Sequence, residues 1–424
     1  MVRLKTITLR ERLQQAKQGP LRPIALLLGG TAAAQFLPVL LAPVQSRLFS
    51  PADFGAFALS VSVVTVAALI ASGAFAQVVA LPKERSEAFA LTCGLMQLGA
   101  LAGVVLALVS LAELMAWPQP VSPRHWFVPV ATALTVAFTG MSAWLVREGR
   151  FTQVVRGRIG PAVAGVAVTL LLGWLGWGAA GLMAGKLAGL TVGCICFGWE
   201  TVRTDHRLFA TINARTIVGA LQINRRAPKF LLPSSLINTV TNQLPVWFLG
   251  HLFGAGVLGQ YALMNRVLNT PVSLVGASVG EVFKQRSAAE YRETGQCRGS
   301  FMMFARGLGA AAILPTLLLV AAGPDLFGWV FGDDWRTAGS YARLLAIFFA
   351  FRFAISPLAY VVVVAQKHRL ILVLQVLCLL AALIGWAIGA ITDSPENALA
   401  AFGGLYAGVY VLFLIVSYRL SGRS

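Results

Sequence analysis

Five cationic side chains interrupt apolar stretches of this 424-residue chain: Lys186, Arg266, Arg306, Arg343 and Arg352. In a membrane-spanning helix, a central Lys or Arg costs about 2.5–3.5 kcal/mol, so each one requires a physical reason. Asp and Glu are absent from the interior of these stretches, which leaves the cations without an obvious protein counter-charge. Arg binds phosphate oxygens through its planar fork of donors. The pattern therefore predicts a site for a phosphate-containing ligand.

The five cations differ in their expected depth. Arg306 and Arg343 lie near the ends of their stretches, where a long side chain reaches the interface by snorkelling. Arg352, Lys186 and Arg266 lie deeper and need a partner or a water-filled cavity. Backbone carbonyls or water are the alternative partners for each of them.

Amide and hydroxyl side chains form a stripe on two adjacent apolar stretches. Spacings of three and four residues place each set on one helical face. The two sets are Ser235, Asn238, Thr239 and Asn242, and Asn265, Arg266, Asn269 and Ser273. Such faces line an aqueous path or hydrogen-bond to each other. We take Asn242 and Asn269 as candidate ligand-binding residues.

The elements that carry these residues are predicted to be transmembrane helices. The chain is 57% hydrophobic and only 12% charged, whereas soluble domains are about 25% charged. At about 20 residues per span, twelve spans fit. They are 23–46, 55–81, 88–111, 127–146, 159–178, 179–199, 230–250, 260–282, 300–322, 341–365, 370–391 and 398–417. Proline residues and the Gly29–Gly30 pair predict kinks within them.

The loops alternate sharply in charge. Of the 34 Lys and Arg residues, 26 fall in segments on one predicted side and 3 on the other. The positive-inside rule therefore predicts cytoplasmic N- and C-termini. The net charge of +18 then reflects topology, and we expect no nucleic-acid partner.

The predicted organisation is all-α, with two six-helix bundles. The segments are a basic cytoplasmic N-terminus at 1–22, a first lobe at 23–199, a basic cytoplasmic linker at 200–229, a second lobe at 230–418 and a cytoplasmic tail at 419–424. The linker is predicted to be solvated or to form an amphipathic helix on the anionic inner leaflet. The five Cys residues lack metal-ligand spacing, and we predict no metal and no cofactor.

An internal repeat supports two lobes. RLFSPADFGAFAL at 47–59 aligns without gaps with HLFGAGVLGQYAL at 251–263, so that Gly55 corresponds to Gly259. The preceding stretches share QFLPV at Gln35 and QLPV at Gln243. Both copies connect an odd span to an even one, which is typical of parallel repeats about an axis along the membrane normal.

RLFSPADFGAFAL, with LGQYALMNRVLNTPVSLVGASVGEVF at 258–283 and LFGWVFGDDWRTAGSYARLLA at 326–346, resembles polysaccharide-unit flippases of the multidrug/oligosaccharidyl-lipid/polysaccharide exporter superfamily. The resemblance implies a V-shaped pair of bundles around a cationic cavity, lined mainly by the first, second, seventh and eighth helices. In this sequence those helices carry Arg47, Asp53, Gln77, Asn242 and Arg266. Lys186 and Arg352 join the candidate site through the charge argument alone.

The resemblance further implies the cargo and the location. The cargo would be an undecaprenyl-diphosphate-linked oligosaccharide moved from the cytoplasmic to the periplasmic leaflet of the inner membrane for O-antigen, capsule or exopolysaccharide synthesis. Membrane lipids, a polysaccharide polymerase and a chain-length regulator are the other expected partners.

Two rival functions remain open. A drug/cation antiporter of the same superfamily is expected to place Asp or Glu in the membrane, where this chain has neither. A membrane-embedded polysaccharide polymerase or ligase generally needs a sizeable periplasmic loop, and the longest predicted outer loops, 112–126 and 323–340, are short. We therefore predict a transporter and not an enzyme.

Overall fold

A computed structural model of the chain describes residues 21–116, 122–364 and 367–422. Most of the predicted basic N-terminus and the last two residues of the predicted tail lie outside these ranges. In the described part the regular secondary structure is entirely helical. In chain order the α-helices are α1 (Leu21–Leu40), α2 (Ala42–Leu48), α3 (Pro51–Ser72), α4 (Arg85–Ala116), α5 (Arg124–Arg147), α6 (Phe151–Trp174), α7 (Gly178–Phe209), α8 (Ala214–Ile223), α9 (Leu232–Leu252), α10 (Gly254–Thr294), α11 (Arg298–Phe331), α12 (Arg336–Ile355), α13 (Tyr360–Val364), α14 (His368–Thr392) and α15 (Pro395–Ser421).

Twelve of the described helices have at least 20 residues, and α2, α8 and α13 are short. Nine helical segments of the described chain are long and apolar enough to cross a membrane, and α9 and α10, which carry the polar stripes, are not among them. In the first lobe α6 packs on α7 and α4 on α5, and in the second lobe α11 packs on α12 and α14 on α15. The chain is a multi-pass membrane protein, and the predicted twelve-helix, two-bundle architecture is confirmed.

Helix ends differ from the hydropathy windows where proline or a left-handed residue stops the helix. The window 55–81 holds α3, which ends at Gly73 with φ of 52°. The window 341–365 is divided by a 3₁₀ turn at Ser356–Ala359 that contains Pro357, because proline has no N–H to continue the helix. The predicted linker is mostly helical, since α7 continues to Phe209 and α8 follows.

The basic loops of both lobes lie at one end of the bundle, which we call the linker end. Arg85 at the start of α4, Arg150 before α6 and Asp205 near the end of α7 meet there. In the second lobe, the Cys297 amide donates to the Ser421 carbonyl at 2.9 Å, which joins the start of α11 to the end of α15. The start of α11 and the end of α15 therefore lie side by side.

The two copies of the repeat contact each other at the other end, which we call the Pro51 end. A Cβ added to Gly55 would lie 1.8 Å from the Ala255 carbonyl oxygen, and one added to Gly259 would lie 1.7 Å from the Pro51 carbonyl oxygen. Ala255 is the repeat equivalent of Pro51, so the contact is symmetric about a pseudo-two-fold axis. The α3 and α10 backbones therefore touch directly, and only glycine fits at the crossing.

Further contacts between the lobes surround this crossing. The Ser46 hydroxyl donates to the Phe331 carbonyl at 2.8 Å, and the Trp335 indole N–H donates to the Ser46 carbonyl at 2.9 Å. The Phe54 and Trp335 rings meet edge to face at 5.0 Å. A single hydrophobic core thus runs across both lobes at the Pro51 end.

We predict that Gly55→Ala and Gly259→Ala each destabilise the contact between the lobes. The added methyl group has no space, and overpacking of this kind costs about 1–3 kcal/mol. Thermal unfolding of the purified protein measures the effect. Gly256→Ala is the matched control, since no atom lies within 4 Å of its added Cβ, and it keeps or raises the midpoint. Equal midpoints for Gly55→Ala and Gly256→Ala would contradict the backbone contact.

A buried carboxylate organises the linker end of the first lobe. Asp205 is fully shielded from solvent and receives a 2.6 Å hydrogen bond from Arg85 and two 2.9 Å bonds from Arg150. The indole N–H of Trp144 donates to the same carboxylate at 3.1 Å. Asp205 therefore joins the loops before α4 and α6 to α7.

We predict that Asp205→Asn lowers the free energy of unfolding by about 3–5 kcal/mol, because Arg150 loses its close buried counter-charge. Arg85 keeps its 2.6 Å ion pair with Glu148. Asp325→Asn provides the comparison. Its carboxylate also pairs with an arginine, at 2.8 Å, but both side chains are more than half exposed, and such pairs contribute little. A chemical-denaturation series on both variants checks the difference; equal losses would mean that Asp205 is not a buried structural charge.

Candidate functional site

A cavity of about 600 Å³ lies among α1, α2, α3, α5, α6, α7 and α10. It is built mainly within the first lobe, and α10 of the second lobe closes one wall. Its polar lining consists of Gln35, Gln45, Thr169, Lys186, Arg266, Asn269, Thr270 and Ser273. Two cations and no Asp or Glu contribute to this lining, as far as the described residues show. The cavity therefore carries a surplus of positive charge.

Arg266 is held in the cavity wall by neutral oxygens of the first lobe. Its Nη1 donates to the Gln45 side-chain oxygen and its Nη2 to the Pro38 carbonyl, both at 3.1 Å. Pro38 lies in the last turn of α1, where carbonyls lack an intrahelical donor. The break between α1 and α2 thus provides the acceptor that fixes this guanidinium. Its charge is not neutralised, because both acceptors are neutral.

Lys186 reaches the same cavity from α7. Its side chain is exposed to the cavity, and no hydrogen bond or ion pair to it is found among the described residues. Close packing of α6 on α7 fixes its position, since a Cβ on the neighbouring Gly185 would lie 1.9 Å from the Thr169 hydroxyl. An ammonium group and a guanidinium group thus line one cavity from opposite lobes.

Asn269 adds an unpaired acceptor to the cavity wall. Its Oδ1 is shielded from solvent and receives no hydrogen bond from the described residues. Buried polar atoms in proteins are nearly always paired. Because this oxygen is shielded, a ligand hydroxyl reaches it only after the Asn269 side chain turns towards the cavity.

The other sequence-predicted site residues, Arg47, Asn242 and Arg352, lie outside the lining of this cavity. Arg47 is exposed in the last turn of α2. Asn242 is exposed on α9, and its amide donates along its own helix to Asn238, at 2.8 Å to the backbone oxygen. Arg352 lies in the last turn of α12, with its guanidinium 5.9 Å from the Phe348 ring centre. Helical spacing identified polar faces but not the neighbours of each face.

Two residues named through the resemblance have structural contacts. Asp53 and Ser50 form a capping box at the start of α3, and Asp53 also accepts from the Ala179 amide at 2.8 Å. Gln77 donates to the Ser235 hydroxyl at 3.2 Å, between the lobes. Arg306 and Arg343 are exposed on helix surfaces, as snorkelling requires.

Sequence reasoning missed Gln45 as a cavity residue. It follows the break after α1, and in the described structure it is the only side chain that accepts a hydrogen bond from the Arg266 guanidinium. Nothing in its spacing marks it, because its role depends on the approach of α10. Gln35, which also lines the cavity, was marked by the repeated QFLPV element.

The fold is that of the transporter superfamily to which multidrug exporters and lipid flippases belong. The chain is similar to the lipid II flippase MurJ in an inward closed conformation, with 11% identity, a TM-score of 0.60, and coverage of 94% of this chain and 87% of that one. It is also similar to a MATE transporter in complex with MaD3S, at 12% identity and a TM-score of 0.57, covering 96% of this chain and 98% of that one.

A third similar structure is a transporter of the MOP superfamily from Pyrococcus furiosus Vc1, described as having a binding pocket of reversed polarity. It has 14% identity and a TM-score of 0.57, and 99% of each chain is covered. At this identity the likeness concerns the fold. No curated protein matches the chain.

The family itself is shown by the sequence. The model of the family described as "Polysaccharide biosynthesis protein" matches residues 44–339. The chain belongs to this family, and its resemblance to the polysaccharide branch of the superfamily is confirmed.

We predict that Lys186→Met raises the midpoint of thermal unfolding of the ligand-free protein. The substitution removes an unpaired ammonium group that lines the same cavity as Arg266. An unpaired charge that is enclosed by the protein beside a second positive charge destabilises the folded state. Lys83→Met, at an exposed position of the linker end, is the control and leaves the midpoint unchanged. A fall in the midpoint for Lys186→Met would show instead that this side chain has a stabilising partner.

Proposed function

We propose that the protein is a flippase that moves undecaprenyl-diphosphate-linked oligosaccharide from the cytoplasmic to the periplasmic leaflet of the inner membrane. The observation that carries this proposal is the cavity lined by Lys186 and Arg266 without a carboxylate. The family match to polysaccharide biosynthesis supports it. O-antigen, capsule or exopolysaccharide is the product class, and a polymerase and a chain-length regulator act on the translocated unit.

The cavity suits a head group with both phosphate and hydroxyl groups. Lys186 and Arg266 attract the diphosphate, because cationic donors bind phosphate through charge-assisted hydrogen bonds. Asn269, Thr270 and Ser273 follow Arg266 on one face of α10 and offer partners to sugar hydroxyls. Its volume falls within the range of about 300–1,000 Å³ that holds drug-sized ligands. It accommodates the diphosphate and the first sugars, while the polyprenyl tail stays in lipid.

The direction of transport follows from charge. We place the linker end in the cytoplasm, with the N- and C-termini, because its loops are rich in Lys and Arg. The Pro51 end, where the lobes touch, then faces the periplasm. A diphosphate diester bears about two negative charges, and the membrane potential is worth about 2.3 kcal/mol per charge per 100 mV. An inside-negative potential therefore favours outward movement of the head group.

The cavity charge argues against the rival functions. A cation antiporter needs a carboxylate at its binding site, and the described lining carries two cations instead. A polymerase or ligase needs catalytic side chains beside an acceptor site. Neither arrangement is supported by this lining, so binding and movement of an anion remain the chemistry that the residues favour.

Complementation tests the proposal. In a strain that lacks its own flippase for lipid-linked oligosaccharide, we expect the wild-type gene to restore surface polysaccharide, and Arg266→Ala and Lys186→Ala to reduce it at least tenfold, because each removes one of the two cavity cations. Arg306→Ala removes an exposed cation of the second lobe and is the matched control. Protein levels in the membrane must be equal. Full restoration by both cavity variants would refute the role of the cavity charge.

A further inference from the structure

A third cation lies beside the cavity on its linker side. Arg158 is half-buried on α6, about 10 Å from the start of that helix at 1.5 Å per residue. Its Nη1 donates to the Thr31 hydroxyl on α1. In the sequence analysis, Arg158 is one of the 26 loop cations that predict the topology. In the structure it lies between α1 and α6, two helices that line the cavity.

The position of this contact relative to the cavity follows from helix geometry. On α1, Thr31 precedes the cavity-lining residues Ala34 and Gln35 by three and four positions. On α6, Arg158 precedes the cavity-lining residues Pro161 and Ala162 by the same spacing. Residues three and four apart share a helical face. The Arg158–Thr31 contact therefore lies one helical turn from the cavity lining on both α1 and α6, on the linker side.

A close approach of α1 and α6 creates this contact. A Cβ added to Gly30 would lie 2.3 Å from a methyl carbon of Val155. Val155 is one turn before Arg158 on the same face of α6. The Gly29–Gly30 pair, expected from sequence to allow a kink, thus serves at Gly30 to bring Thr31 within reach of Arg158.

The charge of Arg158 remains available to a ligand. A hydroxyl oxygen carries no net charge, and no carboxylate lies within 4.0 Å of Arg158 among the described residues. A guanidinium has five N–H donors, of which this contact uses one. No hydrogen bond from the others is found among the described residues, so they can bind the oxygens of an anion that arrives from the linker end.

We propose that Arg158 is a first binding site for the diphosphate group, which it receives on the linker side and passes to Lys186 and Arg266. This inference rests on the proposed function and adds a binding residue that acts before the cavity is filled. The three cations then form a series from α6 through α7 to α10. Because Arg158 acts on the approach, its removal slows association and leaves dissociation from the cavity unchanged.

Binding kinetics in lipid nanodiscs test this. The probes are farnesyl diphosphate, which has a prenyl tail, and inorganic diphosphate, which has none. For Arg158→Gln we expect the association rate constant to fall about tenfold at low ionic strength, within the range known for electrostatic steering, and the loss to shrink as salt is added. The dissociation rate constant stays within about twofold of wild type. Arg266→Gln instead accelerates dissociation.

Three further variants separate this role from a structural one. Arg156→Gln removes an exposed charge two residues away and keeps the wild-type association rate. Arg158→Lys restores most of that rate, since it keeps the charge. Thr31→Val removes the hydroxyl partner but no charge, and it also keeps the association rate. If Thr31→Val slowed association as much as Arg158→Gln does, the Arg158–Thr31 contact would have only a structural role, in holding α1 against α6.

The outcomes distinguish this inference from the proposed function. If Arg266→Gln weakens binding of farnesyl diphosphate but Arg158→Gln behaves as Arg156→Gln does, the first binding site is refuted and the cavity site stands. If the wild-type protein binds neither probe, both proposals fail. Equal association effects on the two probes assign Arg158 to the diphosphate, whereas an effect on farnesyl diphosphate alone would contradict that assignment.

Discussion

The cationic cavity depends on one arrangement: Arg266 of the second lobe inserts into the first lobe and is held by neutral oxygens. Gln45 and the Pro38 carbonyl fix its geometry and leave its charge in place. A carboxylate at either position would cancel that charge and the reason to bind an anion. The break between α1 and α2 is therefore a functional feature, since a continuous helix would pair the Pro38 carbonyl internally.

The two halves of the chain have the same architecture but different chemistry at equivalent places. Extending the repeat alignment without gaps pairs Ser62 of α3 with Arg266 of α10. Ser62 accepts a 2.8 Å hydrogen bond from the Trp247 indole, which joins α3 to α9. Both positions thus connect the lobes in the membrane, one through a neutral contact and one through a cation. The glycine crossing is symmetric and closes the Pro51 end. Ser62 is neutral whereas its equivalent Arg266 is cationic, and this difference gives one lobe the cationic cavity.

The sequence predicted the helices better than their neighbours. Apolar windows in the sequence correspond to the twelve long helices, although α9 and α10 are too polar to count among the nine segments that are apolar enough to cross a membrane. Two windows extend beyond their helices, because the chain turns at Pro357 and at Gly73. Gly55 and Gly259 were visible as a repeat, but their backbone contact was not. Arg352 and Lys186 looked alike from charge and depth, yet only Lys186 lines the cavity. Helical periodicity defines a face, whereas the site depends on which helices pack against that face.

The central claim is that the charge shared by Lys186 and Arg266 binds a diphosphate group. A cryo-electron microscopy structure of the protein in nanodiscs with a polyprenyl diphosphate tests it most directly. We expect the diphosphate to lie between the Lys186 ammonium and the Arg266 guanidinium, with its tail directed out of the bundle. Density for the diphosphate on a lipid-facing surface, with the cavity still empty and Arg266 bonded as before to Gln45 and Pro38, would contradict the account.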